Sequence, residues 1–191
     1  MAPSIEIDVD SKYIVEVLDI TEQPAQFDNS REGDMSMTWK FRLYDVATGV
    51  AVLDDNTGDP YEMWNFTSDK TYANVKTGKK AKAREWTEAL VGRDLSDDEM
   101  NELIDLGFAD SLRKKRGLAD LEWYTTKAGN ERLRIIRLRP YKKTAQANPT
   151  TAPGVKTTDA ASAPAAATAP GKSPDEIAKR RAALGLDDAA D

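Results

Sequence analysis

Apolar and polar positions alternate most cleanly between Ser36 and Val46, where Met37, Trp39, Phe41 and Leu43 fall on one side of an extended chain and Thr38, Lys40, Arg42 and Tyr44 on the other. Residues 12–21 (KYIVEVLDIT) are rich in β-branched side chains and predict an earlier strand. The stretch between them, with Pro24, Asp28, Asn29 and Gly33, has the composition of a long connection. Residues 54–60 (DDNTGDP) predict a turn, and residues 61–67 (YEMWNFT) a third, aromatic strand. Over residues 79–91 the period lengthens: Ala83, Trp86 and Leu90 recur at three and four before Gly92, which predicts a helix and its stop. Ser96 and Glu99 have the spacing of a capping box, opening a second helix with Met100, Leu103, Ile104 and Leu106 ahead of Gly107. Residues 118–125 and 131–139 predict two further strands around a hairpin-like turn, Lys127-Ala128-Gly129-Asn130. Within the last strand the apolar phase slips at Ile135–Ile136, which predicts a bulge or a strand buried on both faces.

The predicted order is therefore β-β-β-α-β-β, mainly β with a helical insert. This is the order of a five-stranded OB-type barrel. An SH3-like barrel, or an open antiparallel sheet covered by helices, shares most of the same local signals. All 14 Phe, Trp and Tyr residues precede position 142, so the C-terminal part lacks the means to build a core. The expected organisation is one domain over residues 1–143, a disordered Ala/Pro/Thr-rich linker over 144–172, and a short capped helix with an acidic end over 173–191. Ser173, Pro174 and Glu176 repeat the grammar of a helix start. Ile177, Arg181 and Leu184 share one face of that helix, Gly185 ends it, and Asp187, Asp188 and Asp191 follow. A helix of about eleven residues is marginal alone in water, so Ile177, Arg181, Leu184 and Leu186 are expected to order on a partner.

Composition narrows the chemistry. With no cysteine and no histidine, disulfides, Cys/His zinc sites, thiol nucleophiles and imidazole acid/base chemistry are all excluded. No enzyme, cofactor or metal is expected. Asp54–Asp59 departs from a calcium loop in the place of its glycine and in lacking Glu at the twelfth position, and Thr77-Gly78-Lys79-Lys80 lacks the first Gly and the final Ser/Thr of a phosphate loop. No apolar run approaches the roughly 18 residues of a membrane span, which leads to the expectation of a soluble, cytoplasmic protein.

The net charge of −6 conceals a division. Residues 1–69 carry 15 acidic against 4 basic side chains, whereas residues 70–143 carry 18 basic against 12 acidic. Lys70, Lys76, Lys79, Lys80, Lys82 and Arg84 occur with no acid among them and with Tyr72 inside the run. Such a run tracks phosphates, and an interleaved aromatic stacks on a base without demanding a sequence. A solvated helix face is the common alternative. Lys40, Arg42 and Tyr44 form a basic and aromatic ladder opposite the apolar stripe of their strand. Trp64 or Phe66 supplies a stacking ring if it points outward, which parity alone does not decide. Lys127, Arg132 and Arg134, with Arg137 and Arg139, make the last hairpin basic, against the alternative that they pair with Asp120 and Glu122 across the strands.

Four segments together, Thr38-Trp39-Lys40-Phe41, Trp64-Asn65-Phe66-Thr67-Ser68, residues 79–92 (KKAKAREWTEALVG) and residues 132–140 (RLRIIRLRP), resemble the OB-fold single-stranded-DNA-binding proteins of bacteriophages, particularly phages of actinobacteria. The resemblance covers residues 12–140. It implies a non-catalytic, sequence-tolerant protein of phage DNA replication or recombination, acting in the host cytoplasm. It also implies recruitment of replication or recombination proteins through the tail, although the chain ends in Asp-Asp-Ala-Ala-Asp without the apolar terminal residue that such tails use. The rival expectation is a structural or adaptor protein, such as a virion component, using barrel and tail helix for protein contacts. A nuclease built from carboxylates alone is the third reading.

Overall fold

The computed structural model describes residues 7–25, 34–72, 77–142 and 174–186. Lys76, the linker over 144–172, the Ser173 cap and the acidic end with Asp187, Asp188 and Asp191 lie outside the described residues. Five strands, β1 (Lys12–Pro24), β2 (Met35–Asp45), β3 (Glu62–Ser68), β4 (Arg116–Thr125) and β5 (Glu131–Pro140), form one antiparallel sheet in the order β3-β2-β1-β4-β5. Between β3 and β4 lie α1 (Lys82–Val91), α2 (Asp97–Asp105) and α3 (Phe108–Leu112), and α4 (Pro174–Ala183) follows β5.

The alternation in β2 does what its pattern requires. Met37, Trp39, Phe41 and Leu43 are buried, and they meet Val15 and Val17 of β1, Met63 of β3, Leu121 of β4 and Ile135 of β5 in one core. The helical insert covers this inner face through Ala83, Trp86 and Leu90 of α1, Leu103 of α2 and Leu112 of α3. Trp86 meets Trp39 edge-on at 5.4 Å between ring centroids, the arrangement favoured by the ring quadrupoles. The Trp39 indole N–H donates to Thr67 Oγ1 at 2.9 Å, so its one polar atom is satisfied inside the core.

The sheet is not closed. Among the described residues no backbone ladder joins the edge strands β3 and β5. One side chain spans the gap, Asn65 of β3, whose Oδ1 accepts the Ile135 backbone N–H of β5 at 2.9 Å. The bulge expected in β5 is present: Asp120 faces Arg137 and Leu121 faces Ile135, leaving Ile136 unpaired and exposed. A second bulge, at Leu18 in β1, was not legible in the residue pattern.

Several expectations are corrected. β1 continues to Pro24 instead of ending at Thr21, because Glu22 and Gln23 still pair with Met37 and Ser36. α1 begins at Lys82, not Lys79, since Ala81 is extended and its N–H is taken by the Tyr72 carbonyl at 3.0 Å. Gly107 does more than end α2: at φ 93° it turns the chain into α3, a helix the periodicity did not predict. The Ser96 capping box does form, and Arg93 with the Ser96 amide holds the Glu99 carboxyl down to about 2. The tail helix forms over Pro174–Ala183, and Leu184 and Leu186, which follow it, are buried in the core of the same chain. Among the described residues no helix is long and apolar enough to cross a membrane.

Candidate nucleic-acid interface

Because Met63, Asn65 and Thr67 of β3 point inward, Trp64 and Phe66 must point outward, and they are 50% and 39% exposed. Alternation in a half-buried strand ordinarily places polar residues on the solvent side, and two large rings there depart from that pattern. The register sets Phe66 beside Thr38, Trp64 beside Lys40 and Glu62 beside Arg42. Tyr72, on the segment that leads from β3 to α1, is 57% exposed.

The cations on this face are not loose. Lys40 Nζ lies 2.5 Å from a Glu62 carboxylate oxygen and 5.4 Å from the centroid of the Trp64 ring. Arg42 donates to the other Glu62 oxygen at 3.1 Å. Burial by itself raises the Glu62 pKa, but the hydrogen bonds from Lys40 and Arg42 outweigh it and hold the carboxyl below its ordinary value. The register aligns Glu62, Arg42, Glu16 and Arg116 across four neighbouring strands, a row of alternating sign. Arg116 donates to Glu16 at 2.7 Å and lies 4.6 Å over the Tyr44 ring, while the Tyr44 hydroxyl donates to Glu16 at 3.2 Å. One face of the Tyr44 ring is thereby covered by a guanidinium.

The basic run between β3 and α1 divides. Lys70 and Lys79 are exposed and make no ion pair among the described residues. Lys80 is held by Glu88 and Asp94, both at 2.6 Å, which raises its pKa. Lys82 lies 5.0 Å over the Trp86 ring and donates to the Ile135 carbonyl at 3.3 Å; burial lowers its pKa. Arg84 is 5% exposed and binds Glu88, Asp97 and the carbonyls of Leu95 and Thr71. Arg84 thereby pins α1 to the α1–α2 connection. Within the acid-free run, Lys80 and Arg84 are paired by acids that follow in sequence, Glu88 among them at i+4 from Arg84.

On β5, Arg134 pairs with Glu122 directly opposite at 2.8 Å, and Arg139 pairs with Asp120 at 2.6 Å. Cross-strand pairing thus occupies these two arginines. Lys127 is exposed in the β4–β5 turn. Arg132 is exposed, makes no ion pair among the described residues, and lines a groove of about 820 Å³ between the start of β3 and the β4–β5 turn, together with Trp64, Arg42, Tyr61 and Asn130. Sequence reasoning named Arg132 and Trp64 separately but had no means to bring them together, since the approach of the two sheet edges depends on curvature. It also missed Glu16, Glu62 and Arg116, which decide how many of the cations are available. No protein-family model and no curated protein matches this chain.

Of the partner-binding set, Ile177 is half-buried, Arg181 donates to the Asp110 carbonyl at 3.1 Å, and Leu184 and Leu186 are buried. Arg181, Leu184 and Leu186 thus meet the chain's own domain.

Proposed function

We propose that this protein binds single-stranded nucleic acid, DNA in the first instance, without catalysis and with little sequence preference, on the outward face of β2 and β3. The observation that carries the reading is the outward pair Trp64 and Phe66. Residues two apart on a strand are about 6.7 Å apart, a distance over which successive unstacked bases can each meet a ring. Tyr72, exposed on the segment that follows β3, is a third candidate ring. Arg132 at one end and Lys70 and Lys79 at the other supply charge for phosphates. The arrangement is that of an OB-type barrel whose β3–β5 seam is bridged by Asn65; the strand order and the hydrogen bond to Ile135 support that assignment. A role in phage DNA replication or recombination follows from the resemblance in sequence and is proposed on that ground.

Stacking, not charge, supplies most of the affinity in this reading, because Lys40, Arg42, Lys80, Arg84, Arg116, Arg134 and Arg139 are ion-paired within the chain. The test is titration of the full chain with oligo-dT, followed by quenching of tryptophan fluorescence. Trp39 and Trp86 are buried, so Trp64 is the indole best placed to respond. Saturable quenching that is lost in Trp64→Phe, while a gel shift persists, places the strand on this face. The same ion pairing favours the rival adaptor reading, in which the face meets protein. Absence of a saturable complex at low and moderate salt decides for that rival.

A further inference from the structure

Among the described residues the last buried side chains are Leu184, 3% exposed, and Leu186, 1% exposed, and they share an apolar cluster with Leu103 of α2 and Leu112 of α3. Polar contacts fix the direction in which they enter. Arg181 donates to the Asp110 carbonyl at 3.1 Å, Lys115 Nζ donates to the Gly185 carbonyl at 3.2 Å, and Arg180 lies 3.7 Å from Glu102. Gly185, at φ 70°, turns the chain just after the helix so that both leucines point into the domain. The surface at α2, α3 and Lys115 is therefore a socket for a helix end followed by Leu-Gly-Leu, with apolar space for each leucine and a donor for the carbonyl between them. The rest of α4 adds little, since Asp175, Glu176, Ala178, Lys179, Ala182 and Ala183 are all exposed.

Thirty-one residues, 143–173, separate Lys142 from Pro174. At roughly 3.3–3.6 Å per residue their extended reach is on the order of 100 Å, against a radius of gyration of about 14 Å for a domain of this size. A covalent reach of that length extends to the same socket on a neighbouring copy. A neighbouring copy offers the same contacts, so the preference for the chain's own helix rests on effective concentration, which falls steeply with tether length. Exchange of an identical element is a low-cost route to association.

We propose that this socket is an exchangeable docking site whose occupant is the Leu-Gly-Leu end of α4, supplied by the same chain when dilute and by a second copy when chains are concentrated. Each copy's site is then completed by Leu184 and Leu186 of its neighbour. The inference does not rest on nucleic-acid binding.

The chain's lack of cysteine makes a labelling test clean. Full-length protein carrying a donor dye at Asn101→Cys, on exposed α2, is mixed with full-length protein carrying an acceptor at Lys179→Cys, on exposed α4. Energy transfer between the pools is expected to rise severalfold from low-micromolar to near-millimolar protein. It should disappear when the acceptor chain also carries Leu184→Asp and Leu186→Asp. An excess of synthetic peptide 173–191 should suppress it equally, which requires no substitution in a folded domain. A doubly labelled chain, diluted in wild-type protein, reports docking within one molecule. Transfer in that chain with none between the pools at any concentration overturns exchange. Lack of transfer in both overturns the socket itself, and transfer that survives the peptide and the leucine substitutions overturns the assignment to Leu184 and Leu186.

Discussion

The segment from Lys79 to Arg84 and the outward face of β3 carry the two kinds of residue that bind a nucleic-acid strand, and the fold treats them in opposite ways. The first carries four cations in six residues, yet Lys80, Lys82 and Arg84 are turned onto Glu88, Asp94, Trp86 and backbone carbonyls. The second lies in the acidic half, yet it leaves Trp64 and Phe66 in solvent. Charge in a linear run is cheaply cancelled, because a long flexible side chain reaches any acid within a turn or a neighbouring loop. A ring on the outer face of a strand has no such escape, since the pleat fixes its direction. An exposed aromatic pair is accordingly the stronger indication of a binding face than a basic run of three times its length.

The largest effect that separates the two regions is expected at Arg84. Arg84→Ala leaves the nearly buried Glu88 carboxylate to Lys80 and takes the buried donor from the Leu95 carbonyl, a loss of about 3 kcal/mol. Urea or thermal unfolding should register that loss. Affinity of the remaining folded fraction for oligo-dT should not change, and a specific fall in affinity would return Arg84 to the interface. At Trp64 and Phe66 the pattern inverts. Each replacement by alanine should weaken binding by about 1–3 kcal/mol, roughly 5- to 150-fold, in fluorescence-anisotropy titration. Stability should move by no more than about 0.5 kcal/mol, as for exposed positions elsewhere. A large fall in melting temperature with unchanged affinity would reverse the assignment.

Sequence patterning reached the five strands, the Ser96 capping box, the bulge at Ile136 and the helix at 174–183, because each depends on neighbours within a few residues. It did not reach α3, whose start depends on the αL turn at Gly107, nor the open β3–β5 seam, which depends on how far the whole sheet curls. The site divided on the same line. The outward ladder of Lys40, Arg42 and Tyr44 followed from parity, but its neutralisation did not, because Glu62, Glu16 and Arg116 arrive from three other strands. Leu184 and Leu186 were recognised as an apolar end that must be covered. That the cover is α2 and α3 of the same chain depends on contacts some 70 residues apart.

A joint Lys79→Ala, Lys80→Ala, Lys82→Ala variant probes the basic run more gently. Were all three on phosphates, the slope of log affinity against log salt would fall by about 2, at about 0.7 per contact on a single strand. With Lys80 and Lys82 engaged internally, only Lys79 is available, and the slope should fall by no more than about 0.7. A modest loss of thermal stability, from freeing Glu88 of one partner, should accompany it.

The finest test lies at Glu62, the acid that makes the aromatic face nearly neutral. Replacing it by glutamine keeps its shape and releases Lys40 and Arg42 beside Trp64, so affinity for oligo-dT should rise severalfold and the salt slope should steepen by about 0.7 to 1.4. The exposed part of these pairs limits the stability cost to less than about 1 kcal/mol. Protonation imitates the substitution. The Glu62 carboxyl is held below its ordinary value in the folded protein, so its contribution to stability is complete above the unfolded-state value of about 4.5 and is lost as pH falls through the lowered one. Over that same descent the two cations are freed, and wild-type binding should tighten while Glu62→Gln, having no carboxyl to titrate, stays level. Parallel anisotropy titrations from pH 7 down to the onset of unfolding measure the difference. If the two curves run together, Lys40 and Arg42 do not reach the strand, and binding rests on the rings, Arg132, Lys70 and Lys79 alone.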